Sequence, residues 1–173
     1  MNSVFISATT KGFAELRKQI AMILKHQRIE VLEQEHFTPA SKIVQREIEE
    51  QISRADGVLF LVGPYYGYPM QDVQPDLARR HSYTQYEWHL AKRWGKRSLT
   101  YLIEDKFFPS VESEPEPGRE GRFPDEGKFT EWQRSFWDEV RAGSKSSARV
   151  TVSSELQLAY ELAKVNWREW LNG

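Results

Sequence analysis

The chain has 173 residues, of which 39% are hydrophobic and 13% aromatic, and this size predicts one compact domain with its own core. Its formal net charge of −1 excludes a dedicated nucleic-acid or anionic-membrane binder. The absence of cysteine excludes thiolate catalysis, disulfides and thiolate zinc sites, and it fits a reducing compartment. No apolar run has the length of a membrane span, and the first twelve residues lack the features of a signal peptide. We therefore expect a cytoplasmic protein.

Predicted strands and helices alternate along the chain. Short apolar runs predict buried strands at Ser3–Ser7, Ile29–Leu32, Val58–Val62, Leu99–Ile103 and Arg149–Val152. Apolar residues spaced three and four apart predict helices within Phe13–Leu24, Ile43–Ala55, Ser82–Trp94, Phe129–Val140 and Leu156–Trp170. This alternation predicts a five-stranded parallel sheet with helices on both faces. Of the two common strand orders, we choose the flavodoxin-like 2-1-3-4-5 over a Rossmann order.

Such a sheet has a preferred place for ligands, beyond the carboxyl ends of its strands and at the switch point between strands one and three. In this chain the crevice is expected between two polar turns. Its candidate lining residues are Ser7, Ala8, Thr9 and Thr10 after strand one, and Gly63, Tyr65, Tyr66 and Gly67 after strand three. The three tyrosines of the second turn, Tyr65, Tyr66 and Tyr68, would either stack on a ring of the substrate or pack the loop down.

Glu87 is the candidate catalytic residue, because it interrupts an apolar helical stripe. The stripe consists of Tyr83, Tyr86, Leu90, Ala91 and Trp94. A carboxylate there is partly desolvated or faces a cavity, and either position is typical of a catalytic acid. The alternative is that Glu87 lies at the margin of the stripe, reaches solvent and pairs with Arg93. Ser82, Tyr83 and Thr84, at the start of this helix, complete the candidate substrate-binding set.

Other motifs are absent or belong to the surface. The chain has no P-loop, no G-x-G-x-x-G and no G-x-S-x-G. The spacing of His26, His36, His81 and His89 predicts no metal site. The segment from Glu104 to Lys128, rich in proline, glycine and acidic residues, is expected to be a surface excursion within a single domain spanning residues 1–173.

Several short stretches together carry a family resemblance. They are Val4–Ser7, Thr9-Thr10, Leu16-Arg17, Asp56, Val58–Gly63, Tyr66-Gly67 and Ser82–Glu87. They resemble the Toll/interleukin-1 receptor-like (TIR-like) domains found at the N-termini of NACHT and WD-repeat proteins, which are related in fold to nucleoside deoxyribosyltransferases. The resemblance covers about Ser3 to Ile103, and its most specific part is the aromatic Tyr83 four residues before Glu87.

The resemblance implies an activity. Enzymatic TIR domains cleave NAD+ at the bond between nicotinamide and ribose, in immune or defence signalling, and the glutamate on this helix is their catalytic residue. The implied enzyme uses NAD+ as substrate and needs no cofactor and no metal. The implied partners are further copies of the chain or other TIR-like domains. The alternatives are a non-catalytic self-assembly module and a nucleoside deoxyribosyltransferase-like enzyme.

Overall fold

The fold is that of a computed structural model, which describes residues 2–8, 13–32, 42–70, 81–104, 107, 126–143 and 148–173. Five strands form one parallel sheet. They are β1 (Ser3–Ala8), β2 (Glu30–Leu32), β3 (Gly57–Val62), β4 (Arg97–Ile103) and β5 (Ala148–Val152). Their order is β2-β1-β3-β4-β5, so the predicted parallel sheet with neighbouring first and third strands is confirmed.

Helices cover both faces of the sheet. They are α1 (Ala14–His26), α2 (Lys42–Arg54), α3 (Tyr83–Arg93), α4 (Phe129–Ala142), α5 (Glu155–Lys164) and α6 (Trp167–Asn172), with a 3-10 turn at Glu126–Lys128. One hydrophobic core joins the sheet to α1, α5 and α6, and a second joins the opposite face to α2, α3 and α4. Among the described helices, none is long and apolar enough to cross a membrane.

The central strand β3 lies between the two cores and contributes side chains to both. All six of its residues are buried. Leu59 and Leu61 face the α1 side, whereas Val58, Phe60 and Val62 face the α2–α4 side. A strand covered on both faces needs apolar residues at every position, and the uninterrupted apolar run of β3 meets that need.

Close packing also dictates the residue type at the start of β3. A Cβ atom at Gly57 would lie 2.6 Å from two ring carbons of Trp170 and 2.8 Å from Leu171. Any side chain there would push α6 away from the sheet, because real Cβ contacts are not that short. The first residue of the central strand is therefore a glycine for steric reasons.

Two local expectations are wrong, each for a physical reason. The last helix is two helices, because Val165 is extended and Asn166 caps α6 by accepting a hydrogen bond from the Glu169 N–H. The buried stripe of α3 includes Trp88, which is 3% exposed, whereas Trp94 at the helix end is 41% exposed. Phe107, within the expected surface excursion, is buried in the α1-side core. Most of that segment lies outside the described residues, so the surface excursion stays a prediction.

Candidate active site

A buried hydrogen bond joins the end of β1 to the middle of α3. The Ser7 hydroxyl donates to the Oε2 atom of Glu87. Ser7 is 1% exposed and Glu87 is 3% exposed, so the carboxylate does not reach solvent at the margin of the helix. Because Ser7 pairs with Phe60 of β3 in the sheet register, this contact lies at the switch point between the first and third strands.

The start of α3 is fixed by a capping box and by a backbone bridge. Ser82 is the N-cap, and its hydroxyl accepts from the Gln85 N–H while the Gln85 side chain accepts from the Ser82 N–H, which is a capping box. A short antiparallel bridge between Pro69 and Ser82 adds backbone hydrogen bonds on either side. We name this bridge the loop clamp. Ser82, predicted to contact substrate, is therefore completely buried as a helix cap.

Gly63 begins the loop after β3 and is held from both sides. A Cβ atom at this position would lie 2.8 Å from the Phe13 ring, so only glycine fits. From the other side, the Nε2 atom of Gln133 donates to the Gly63 carbonyl at 2.6 Å. Gln133 is 3% exposed, and its Oε1 atom has no hydrogen-bond partner among the described residues.

Gln133 was not among the predicted site residues, although the sequence contains a signal for it. It is a polar residue within the buried stripe of α4, between Phe129 and Phe136. A buried amide needs hydrogen-bond partners, and its nearest partner in space is 70 residues away in the chain. Sequence spacing alone could not identify that partner.

The aromatic loop after β3 packs against α4. The ring of Tyr66 stacks on Phe129 with centroids 4.5 Å apart and lies 5.8 Å from Trp132. Tyr68 packs on the same group, which we call the aromatic cluster (Tyr66, Tyr68, Phe129 and Trp132). Tyr66 is 7% exposed, so its ring is used in packing, whereas Tyr65 is half-buried.

The other predicted site residues differ in their surroundings. Ala8 packs on the α1-side core, and Tyr83 packs on the opposite core. Gly67 and Thr84 are buried. Thr9 and Thr10 lie outside the described residues. Ser7 and Glu87 are thus two predicted site residues that a hydrogen bond joins directly.

A second polar network holds α3 against α2. The Tyr86 hydroxyl donates to Glu49 Oε1, and the Gln45 Nε2 atom donates to the Tyr86 hydroxyl at 3.0 Å. Burial, followed by the hydrogen bond to Glu49, raises the pKa of Tyr86 to about 12. Since Tyr86 precedes Glu87, this network fixes the rotation of α3 that turns Glu87 toward Ser7.

Two histidines, one before α3 and one within it, lie side by side. The rings of His81 and His89 meet edge to face with centroids 5.5 Å apart, and His89 Nε2 lies 3.5 Å from Glu139 Oε2. Burial lowers the pKa of His89, although the charge of Glu139 opposes that shift. Within the described part of the chain, no group of three or more His, Asp or Glu side chains could hold a metal ion.

Comparison with solved structures finds distant likenesses. The chain is similar to the CMP N-glycosidase BcmB of Clostridium botulinum, with 13% identity and a TM-score of 0.45, covering 94% of this chain and 98% of that chain. It is also similar to the TIR domains of the activated Roq1 resistosome, which directly recognises the pathogen effector XopQ. There the identity is 10% and the TM-score 0.47, over 83% of this chain and 86% of that chain. Both likenesses are too distant to carry an argument about function.

Comparison of the sequence itself with protein families is more decisive. No curated protein matches the chain. The family described as "Domain of unknown function (DUF4062)" matches residues 3–159, from β1 into α5 and thus across the whole sheet. The chain therefore belongs to the DUF4062 family.

Proposed function

We propose that this chain is a TIR-like enzyme of the cytoplasm that cleaves the nicotinamide–ribose bond of NAD+ in defence signalling, with Glu87 as its catalytic carboxylate. The observation that carries the proposal is the buried pair of Ser7 and Glu87 at the switch point of the sheet. A carboxylate removed from water at the place where such sheets bind ligands is a strong candidate for chemistry.

The chemistry of the bond explains why a carboxylate is needed. As an N-glycosidic bond breaks, positive charge develops on the ribose, as it does in glycoside hydrolysis. A negative charge held in a water-poor site stabilises that charge more strongly than it would in water. Ser7 holds the carboxylate in one orientation by donating its hydroxyl hydrogen, and the Ser7 oxygen still has a lone pair for a substrate hydroxyl.

The substrate must gain access to Glu87, which is almost fully enclosed. Our proposal therefore includes a local opening at the crevice when NAD+ binds, as is common for enzymes that exclude water during the reaction. Ser7, Ala8, Thr9 and Thr10 would bind the substrate from the β1 side, and the half-buried Tyr65 or Tyr83 would lie against its rings. Water would accept the ribosyl group and give ADP-ribose, a cyclic product being an equally compatible outcome. With a deoxynucleoside as donor and a free nucleobase as acceptor, the same site would carry out a nucleoside deoxyribosyltransferase-like reaction, which releases the donor's base.

A second candidate is a non-catalytic TIR-like module that assembles with itself or with other TIR-like domains. The observation that favours it is the enclosure of Glu87. A purely structural role, holding α3 on the sheet, is enough to explain a buried serine–glutamate hydrogen bond. Under this reading the crevice has no catalytic role, and the NAD+ concentration has no effect on the protein.

The deciding experiment is incubation with NAD+ followed by chromatography of the products. Glu87→Gln should lower cleavage by roughly 10²-fold or more, the scale on which loss of one preorganised electrostatic group is felt. NAD+ affinity should fall much less, because the charge interaction develops in the transition state. Glu47→Gln, an exposed carboxylate on α2, is the matched control and should cleave normally.

The assay should be repeated over a wide range of protein concentration, because the TIR-like resemblance implies that sites are completed between subunits. We expect activity per molecule to rise with concentration. Equal cleavage by the parent and Glu87→Gln would disprove the catalytic assignment. No cleavage by the parent at any concentration would favour the assembly module.

A further inference from the structure

A cavity separate from the crevice lies between α3 and α4. Its volume is about 550 Å³, within the range of small-molecule sites in proteins. On the α3 side it is lined by the imidazoles of His81 and His89, and on the α4 side by Glu131, Trp132 and Ser135. We call it the α3–α4 cleft.

The α3–α4 cleft faces away from the Ser7–Glu87 pair. Gln85 and His89, one helical turn apart on α3, both line the cleft. Glu87 lies between them in sequence and is therefore rotated about 200° from Gln85 around the helix axis. The contact of Glu87 with Ser7 at the sheet agrees with that rotation. A ligand in the cleft would thus occupy a different site from the proposed substrate.

Two side-chain contacts join α3 to α4 at the cleft. The rings of Trp88 and Phe136 pack edge to face with centroids 5.7 Å apart. The 3.5 Å contact between His89 and Glu139 spans the two helices. These contacts hold the helices at a fixed separation, so the cavity is a formed feature of the helical layer.

The charge of the lining disfavours an anionic ligand. Glu131 and Glu139 contribute two negative charges and Lys128 contributes one positive charge. Burial lowers the pKa of His89, which keeps that imidazole uncharged at neutral pH. A polyphosphate would meet net repulsion here, whereas an uncharged ligand would not.

The hydrogen-bonding groups fit a ligand rich in hydroxyls. Carboxylates accept from hydroxyl groups, and serine and neutral histidine both donate and accept. Glu131 and Ser135 make no side-chain hydrogen bond or ion pair with any other residue in the described part of the chain. Trp132 adds a large aromatic surface with a polar edge, suited to lie against the flat side of a ring.

We propose that the α3–α4 cleft binds an uncharged sugar ring that carries vicinal hydroxyls. Glu131 accepts hydrogen bonds from the hydroxyl pair, as acidic residues do from ribose in dinucleotide-binding folds. Trp132 lies against the ring, and Ser135 and the imidazoles bind the remaining polar edge. Two forms of the sugar have this chemistry, a free saccharide and the ribosyl part of a nucleoside.

The test is a binding titration of the whole chain by calorimetry, with separate additions of D-glucose, D-ribose, adenosine, 2′-deoxyadenosine and ATP. We expect either free sugars or adenosine to bind, and adenosine to bind at least about 10-fold more tightly than ATP. If the ribosyl form is the ligand, 2′-deoxyadenosine should bind about 10-fold or more weakly than adenosine, because one hydrogen bond to a carboxylate is lost.

Variants assign the binding to the cleft. Glu131→Gln should weaken binding about 10-fold or more, and Ser135→Tyr should abolish it by placing a bulky ring where the sugar would lie. Both positions are exposed, so the fold should persist, which circular dichroism would verify. Asp138→Asn is the matched control on α4, outside the cleft lining, and should bind normally.

Glu87→Gln separates this proposal from the proposed function, because it alters the crevice alone. Binding retained by Glu87→Gln but lost by Ser135→Tyr supports the cleft, whether or not the chain cleaves NAD+. Binding lost only by Glu87→Gln would place the sugar in the crevice and overturn the proposal. If none of the five compounds binds at millimolar concentration, the proposal is also overturned.

Discussion

The energetic link between Ser7 and Glu87 can be measured by a double-mutant cycle. The four proteins are the parent, Ser7→Ala, Glu87→Gln and the double variant. A hydrogen bond to a charged group contributes about 1.5–3 kcal/mol, and one between neutral groups about 0.5–1.5 kcal/mol. Because Ser7 and Glu87 are 1% and 3% exposed, water cannot readily replace the lost donor in Ser7→Ala.

Ser7→Ala should therefore lower the free energy of unfolding by about 2–3 kcal/mol. In a domain of this length each kcal/mol corresponds to about 2–4 °C, so Tm should fall by roughly 4–12 °C. Glu87→Gln keeps an acceptor for the Ser7 hydroxyl and removes a buried charge, so its own effect should be about 1 kcal/mol or less. Ser7→Ala made in that background should lower the free energy of unfolding by only about 1 kcal/mol.

The assay is equilibrium unfolding in urea at pH 7, and the expected coupling is about 1–2 kcal/mol. Ser53→Ala is the control, because this exposed hydroxyl bonds only to a carbonyl of its own helix. Its effect should stay within about 0.5 kcal/mol. Additive effects of Ser7→Ala and Glu87→Gln, within about 0.5 kcal/mol, would refute the hydrogen bond as a determinant of how α3 sits on the sheet.

Three further predictions follow from packing and pKa shifts. Gly57→Ala should destabilise the fold by about 1–3 kcal/mol in urea unfolding, because the new methyl group overlaps an α6 tryptophan, whereas Gly127→Ala, with open space around it, should not. The pKa of His89, measured by NMR, should lie below 6.5, and Glu139→Gln should lower it further. The free energy of unfolding should decrease as the pH falls below 6.5, because the unfolded chain binds the proton first. Ultraviolet titration should show Tyr86 ionising near pH 12, and stability should fall between pH 10 and about 12, because the unfolded chain loses that proton first. A His89 pKa above 6.5, or normal ionisation of Tyr86 near pH 10, would contradict the burial of these rings.

The sheet could be predicted from sequence because its signal is local. The apolar run of β3 requires cover on both faces, and that requirement alone implies a central parallel strand. The face of α3 was harder to predict, since a spacing of three and four residues fits both Trp88 and Trp94. The packing of Trp88 on Phe136 of another helix decides between them, and no spacing within α3 contains that information.

The site was predictable in its location and only partly in its contacts. Topology places Ser7 and the loop of Gly63 at the switch point, so the crevice could be located from strand order. The partner of Glu87 is 80 residues away, and the partner of Gly63 is 70 residues away. Such pairings depend on the three-dimensional register of helices on the sheet, which short-range patterns do not encode.

The loop clamp has a consequence for how this part of the protein can vary. The backbone N–H of Met70 donates to the His81 carbonyl, and that of Tyr83 donates to the Tyr68 carbonyl. These bonds hold Met70 next to His81 and fix the start of α3 through described residues alone. Because closure entropy grows slowly with the number of residues between two fixed ends, we expect α3 to keep its start when the number of residues between Met70 and His81 is changed.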